Sequence, residues 1–96
     1  MHTFVYVSEA TKHFGKDDLI ELLKVAGSLN RTNGITGYLH YEGEYFLQYI
    51  EEAPDALSNT VDRIERDARH RIFYRATEKD LKKRRFPDWN MFSPKV

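Results

Sequence analysis

The sequence predicts an α+β fold, a ferredoxin-like βαββαββ chain with a mixed five-stranded sheet and two helices on one face. Three observations lead there. Runs of β-branched and aromatic residues recur along the chain and read as strands. Two stretches between them carry apolar residues at helical spacing. Right-handed crossovers then fold that order into a mostly antiparallel sheet with both helices on the same side. With 96 residues, the chain is expected to form a single domain over 1–96, since it is too short for two independent cores.

The first strand is placed at 3–8 (TFVYVS). Phe4, Tyr6 and Ser8 form one face and Val5 and Val7 the other; both are largely apolar, as in a central strand. After a loop through Gly15, Asp18 with Glu21 three residues later resembles an N-cap pair. Leu19, Leu22, Leu23, Ala26 and Leu29 then form the stripe of a first helix. Gly27 weakens its last turn, and Asn30 is placed beyond its end.

Two strands follow at 35–41 and 44–50, joined by the turn Glu42-Gly43. Pro54 suits the first position of a second helix, whose buried stripe is Leu57, Val61 and Ile64. Two further strands are predicted at 71–77 and 86–92, with the charged bend 79–85 between them.

A two-residue turn at Glu42-Gly43 sets Leu39 opposite Phe46 and Gly37 opposite Gln48. Because side chains alternate, Ile35, Gly37, Leu39, Phe46, Gln48 and Ile50 share the face expected beneath the helices. Thr36, Tyr38, His40, Tyr45, Leu47 and Tyr49 share the other. That second face, joined by Val5 and Val7, is expected to be exposed and to serve self-association or a protein partner. Gln48 stands alone as an amide on the aliphatic face, where an unsatisfied group costs about 1–3 kcal/mol. Two readings stand: it satisfies itself on backbone or water, or it lines a slot beside Gly37 for a flat ligand with polar edges.

Composition removes several classes of function. Fifteen basic residues balance fifteen acidic ones, so no global field draws the chain to nucleic acid or a membrane surface. Without cysteine there is no disulfide, thiolate nucleophile or Cys-based metal centre. That, with no apolar signal segment, points to the cytoplasm. His2, His13, His40 and His70 lack metal-binding spacing, so no metal is expected. No phosphate loop, dinucleotide fingerprint or nucleophile elbow is present, and no enzyme activity is expected. Small acyl-phosphate hydrolases share the topology but need an anion-cradling loop where this chain reads Ser8-Glu9-Ala10. Glu51 and Glu52 read as a solvated strand end, and Lys82-Lys83-Arg84-Arg85 as a solvated turn.

Five strings then fall in order. They are Tyr6-Val7-Ser8; Asn30 through Ile35-Thr36-Gly37; Phe46-Leu47-Gln48-Tyr49-Ile50-Glu51; Arg63-Ile64 with Asp67-Ala68-Arg69-His70; and Arg84-Arg85-Phe86 with Trp89 and Met91. Together they closely resemble the BLUF family, blue-light sensors using flavin. The resemblance implies FAD, with its ring system between the two helices. It implies that Tyr6, Gln48 and Asn30 form a hydrogen-bonded chain to the flavin, with Ser8 supporting the tyrosine side. Leu22 and Ile64 would face the two sides of the ring, and Arg63, Asp67, Arg69 and His70 would hold the ribityl chain and phosphates. Trp89 and Met91 would belong to the photoactive set. The chain departs from the family pattern at Glu52, where glycine is usual, at Ile50 for leucine, and at Leu29 for a polar residue. Two rival readings accompany this one: a degenerate BLUF-like interaction module without photochemistry, and an RNA-binding sheet using Lys82 to Arg85 with Tyr38, Tyr45 and Tyr49.

Overall fold

The computed structural model describes residues 1–22, 24 and 34–86 in full and 90–92 as backbone. Strand β1 covers His2–Ala10, helix α1 includes residues 16–22, and β2 and β3 cover Thr36–Glu42 and Tyr45–Glu52. Helix α2 spans Pro54–Arg66, followed by β4 at His70–Glu78 and β5 at Asn90–Phe92. Four strands make an antiparallel sheet in the order β4-β1-β3-β2, and β5 joins β2 in parallel. The doubly apolar β1 lies between β3 and β4, the position its two faces predict. Among the described residues the fifth strand is Asn90–Phe92, within the expected 86–92, and Phe86 itself lies in a bend. No helix among the described residues is long and apolar enough to cross a membrane.

Both helices pack on one side of the sheet. Leu19 and Leu22 of α1 and Leu57, Val61 and Ile64 of α2 meet a single cluster built on Phe4, Tyr6, Leu39, Phe46 and Ile50. Pro54 occupies the first turn of α2, where its missing N–H costs nothing. Asp18 is not the N-cap of α1. The helix starts earlier, and the Asp18 carboxylate accepts the Gly15 N–H at 3.1 Å, the return half of a capping box.

The hairpin turn is Gly43-Glu44 rather than Glu42-Gly43, since Glu42 pairs with Tyr45. Gly43 takes φ 64°, as hairpin turns of the primed types require. The register therefore moves by two residues. Faces survive an even shift, but Gln48 now opposes Leu39, and Gly37 opposes Ile50. Gly37 adopts φ 146°, and a Cβ there would lie 1.9 Å from the Tyr49 carbonyl oxygen. Only glycine lets the strands approach so closely.

Three surface expectations are overturned on the far face and at the end of β3. Glu51 and Glu52 are 0% and 2% exposed, so they are not a solvated strand end. Glu51 accepts hydrogen bonds from Thr36 Oγ1, Tyr49 Oη and the peptide N–H groups of Arg85 and Phe86. The basic run is solvated except at Arg84, since Arg85 is exposed as well. Lys82 and Lys83 are exposed, whereas Arg84 donates to Thr36 Oγ1, the Gly34 carbonyl and the Glu51 carbonyl. Tyr49 is buried, because Phe86 packs edge-on against it and against Tyr38, at 5.5 and 5.3 Å between ring centres.

Candidate functional site

Strand register builds the centre of the site. Tyr6 on β1 is the direct partner of Gln48 on β3, which is in turn the partner of Leu39 on β2. Directly paired residues share a face and stand close enough for side chains to meet. The Tyr6 hydroxyl donates to Gln48 Oε1 at 2.5 Å, with both side chains buried. Burial, helped by the carboxylate of Asp67 and opposed by Arg69, pushes the Tyr6 phenol well above its usual range. Tyr6 therefore holds its proton throughout the neutral region.

Above this pair lies a cleft of about 440 Å³ between the two helices, within the usual size range of ligand pockets. Leu22 of α1 stands on one wall and Ile64 of α2 on the other, while Arg63, Asp67, Arg69 and His70 line the end near the C-terminus of α2. The fold thus gathers into one cleft eight residues that the sequence scatters between positions 6 and 70. An aliphatic slot with a phenol and an amide at its floor fits a planar ring with polar edges, and the cationic end fits an anionic tail.

Three of the predicted ligand residues are also committed within the protein. Arg69 holds Asp67 through its Nε and Nη2, the closest contact being 2.6 Å, and that pairing keeps the Asp67 carboxyl below its ordinary range. His70 bridges the sheet to α2. Its Nε2 lies 2.9 Å from the Ile64 carbonyl and its Nδ1 2.6 Å from Ser8 Oγ. A carbonyl only accepts, so Nε2 carries hydrogen, and in the neutral ring Nδ1 accepts from Ser8. The same ring lies edge-on to Tyr6 at 5.4 Å. Ser8 is fully buried, and the His70 ring it meets is the one that touches Tyr6.

Asn30, Trp89, Gly27 and Leu29 lie outside the described residues, as does the Met91 side chain. Sequence reasoning missed the aromatic floor. Phe14 and Phe46 meet edge-to-face at 5.2 Å and line the cleft with Leu39. Strand alternation signalled Leu39 and Phe46 by placing them on the helix side; Phe14, in a loop, carried no periodic signal.

The sequence profile of the BLUF family, sensors of blue-light using FAD, matches residues 1–92. The chain belongs to the BLUF family. It is 30% identical over 92 residues to the photoactivated adenylate cyclase subunit beta of Euglena longa, covering 95% of this chain and 11% of that protein. Among solved structures, a bacterial light-regulated adenylyl cyclase superposes with TM-score 0.84 at 29% identity, covering 95% of this chain and 27% of that one. The dark state of BlrB, a BLUF protein, superposes with TM-score 0.80 at 30% identity, covering 94% and 68%. The BLUF domain is a blue-light sensor module that binds flavin, and the match to both cyclases is confined to a small part of their length.

Proposed function

We propose that this BLUF chain binds FAD in the cleft between its helices and signals by light-driven rearrangement of the Tyr6–Gln48 hydrogen bond. The phenol–amide contact of 2.5 Å at the cleft floor carries the reading. A bound flavin would supply blue-light absorption and an electron-accepting ring. Tyr6, whose proton burial keeps on the phenol, would be the residue placed to lend an electron and a proton to that ring and to take both back as the cycle closes. Gln48 has two acceptor lone pairs on oxygen and two donors on nitrogen. In the present orientation its oxygen accepts from Tyr6; turned over, its NH₂ would face the phenol oxygen instead. Two hydrogen-bonded arrangements of similar energy make a bistable element.

Leu22 and Ile64 sandwich the ring in this reading, and Arg63 with the Asp67–Arg69 pair holds the ribityl and phosphate chain. His70 holds Ser8, Tyr6 and the end of α2 in mutual register. Asn30, Trp89 and Met91 enter on sequence resemblance alone. We assign the chain a ferredoxin-like plan extended by β5, a single domain over 1–96, a cytoplasmic setting and no catalysis of its own. Output would pass through the far sheet face to a second copy or a protein partner. The deciding experiment is a visible spectrum of protein reconstituted with excess FAD, before and after blue light. Flavin bands with a small, reversible red shift are expected; a spectrum without flavin bands would refute the reading.

A further inference from the structure

Glu52 is a carboxyl with 2% exposure on the helix side of β3, and the Tyr6–Gln48 chemistry does not use it. Its Oε1 lies 2.7 Å from Thr60 Oγ1 on α2, and the same hydroxyl lies 3.2 Å from the Ala56 carbonyl. A threonine hydroxyl carries one hydrogen, so it serves one of these acceptors at a time. With Glu52 ionised, Thr60 donates to the carboxylate. With Glu52 protonated, the acid donates to Thr60 Oγ1, and Thr60 turns its hydrogen to Ala56. Either state satisfies the same heavy atoms, so the carboxyl can exchange a proton without stranding a buried polar group.

The groups around Glu52 make that proton matter. From α2, Arg63 favours the ionised form, as does Arg84 from the connection before β5. From β1, His2 is the register partner, its Nδ1 accepting the Asp80 N–H. Burial acts the other way and dominates, raising the carboxyl above its ordinary range. Arg63 follows Thr60 by three positions on α2, hence on the same helix face, and lines both the flavin cleft and an outer recess beside Asp62 and Arg66.

We propose that Glu52 is a positioning residue for the flavin site. Its negative charge draws Arg63 toward the sheet, and uptake of one proton from water releases Arg63 toward the anionic chain of a phosphate-bearing flavin. The inference rests on the flavin-site reading above.

The test compares FMN with riboflavin, which differ by the phosphate, on the full chain and on Glu52→Gln across a pH series. Glutamine keeps the shape and an acceptor for Thr60 while imitating the neutral acid. At mildly alkaline pH the variant should bind FMN about threefold more tightly, the scale of one screened ion pair, with riboflavin unchanged. The ratio of variant to wild-type FMN affinity should fall to one as pH drops below the raised carboxyl range; taking the ratio cancels the phosphate's own titration. Equal FMN affinities at every pH would overturn the proposal, and so would equal gains for both flavins, which signify repacking. Wild-type protein that binds neither flavin would overturn the flavin-site reading instead. Infrared spectra of the flavin-free protein give a separate readout. Among the carboxylic-acid carbonyl bands, one titrating above the ordinary carboxyl range should be present in wild type and missing in Glu52→Gln, and a wild type with no carboxyl titrating above that range would sink the proposal even if the variant fails to fold.

Discussion

The buried carboxylate of Glu51 accepts the peptide N–H of Arg85 at 2.6 Å, and this bond fixes the chain crossing the far face of the sheet. The Phe86 N–H follows at 3.1 Å, Arg84 reaches under the end of β2, and Phe86 closes over Tyr38 and Tyr49. Tyr49 donates to the same carboxylate at 3.0 Å and is the sequence neighbour of Gln48. The strap and the cleft thus share one strand, with Gln48 facing the helices and Tyr49 facing the strap.

Removing that anchor should cost more than an ordinary surface substitution. Glu51→Ala leaves two peptide N–H groups and two hydroxyls without their acceptor. Hydrogen bonds to a charged group contribute about 1.5–3 kcal/mol each, with losses partly relieved by water. A destabilisation of about 3 kcal/mol or more is expected in urea unfolding, and less for Glu51→Gln. A change under about 1 kcal/mol, the surface-like range, would mean the strap is held by other contacts.

Gly37→Ala should be among the most damaging small substitutions. The new methyl would meet the Tyr49 carbonyl at 1.9 Å in a left-handed backbone conformation. Overpacking and backbone strain each cost about 1–3 kcal/mol. The variant should therefore lose about 3 kcal/mol or fail to accumulate as folded protein, read by circular dichroism and thermal melting. Near-wild-type melting would show that β2 and β3 separate easily.

Strand faces were legible because alternation is a local property that survives an even register shift. That is why Gln48 was placed correctly beneath the helices although its partner, Leu39 rather than Gly37, was not. The turn was misplaced because Gly43 suits either of two adjacent loops, and only the pairing of Glu42 with Tyr45 decides between them. Glu51 and Arg84 were misread for a different reason. Charged residues are exposed by default, and the burial of these two depends largely on each other's chain segments, more than thirty positions apart, which no local pattern reports. The cleft residues near α2 came from family resemblance, since periodicity marks Ile64 as core and says nothing of a ligand.

Two tyrosines should make the protein lose stability at high pH. Burial raises the Tyr6 phenol, and Tyr49 is pushed up to about 12 by burial and by its bond to Glu51. Both phenols start from an ordinary value of 10.0. The folded state therefore binds more protons than the unfolded state above that value, and stability must fall as pH rises through it. Tyr6→Phe removes one of these protons, so its decline in alkaline urea titrations should be shallower than in wild type. Parallel curves would show that Tyr6 titrates normally.

Tyr6→Phe and Gln48→Leu should each abolish the light-induced red shift while leaving flavin bound. Phenylalanine keeps the ring against His70 and removes the hydroxyl; leucine keeps bulk and removes the amide. The cleft walls at Leu22 and Ile64 and the charged end at Arg63 are untouched by either change. A normal photocycle in either variant would show that this pair is not the switch.

The open part of the far face should associate with a second copy or a protein partner. Register aligns Tyr74, Val7, Leu47 and His40 in one row across four strands. Beside it, Tyr45 and Phe73 meet edge-to-face at 5.9 Å while remaining 50% and 59% exposed. Among the described residues the strap covers Tyr38 and Tyr49 and not this row, so the exposed surface is smaller than the sequence suggested and lies nearer β4. Exposed aromatic groups on this scale are of the kind enriched at interfaces. Leu47→Glu sets a carboxylate in the middle of the row at a half-buried position, and Phe73→Glu sets one at its margin. Sedimentation at micromolar concentration should show association for wild type and a shift to monomer for both variants, with melting temperatures little changed. A wild-type monomer that also captures no partner, or association untouched by Leu47→Glu, would remove this face as the output surface.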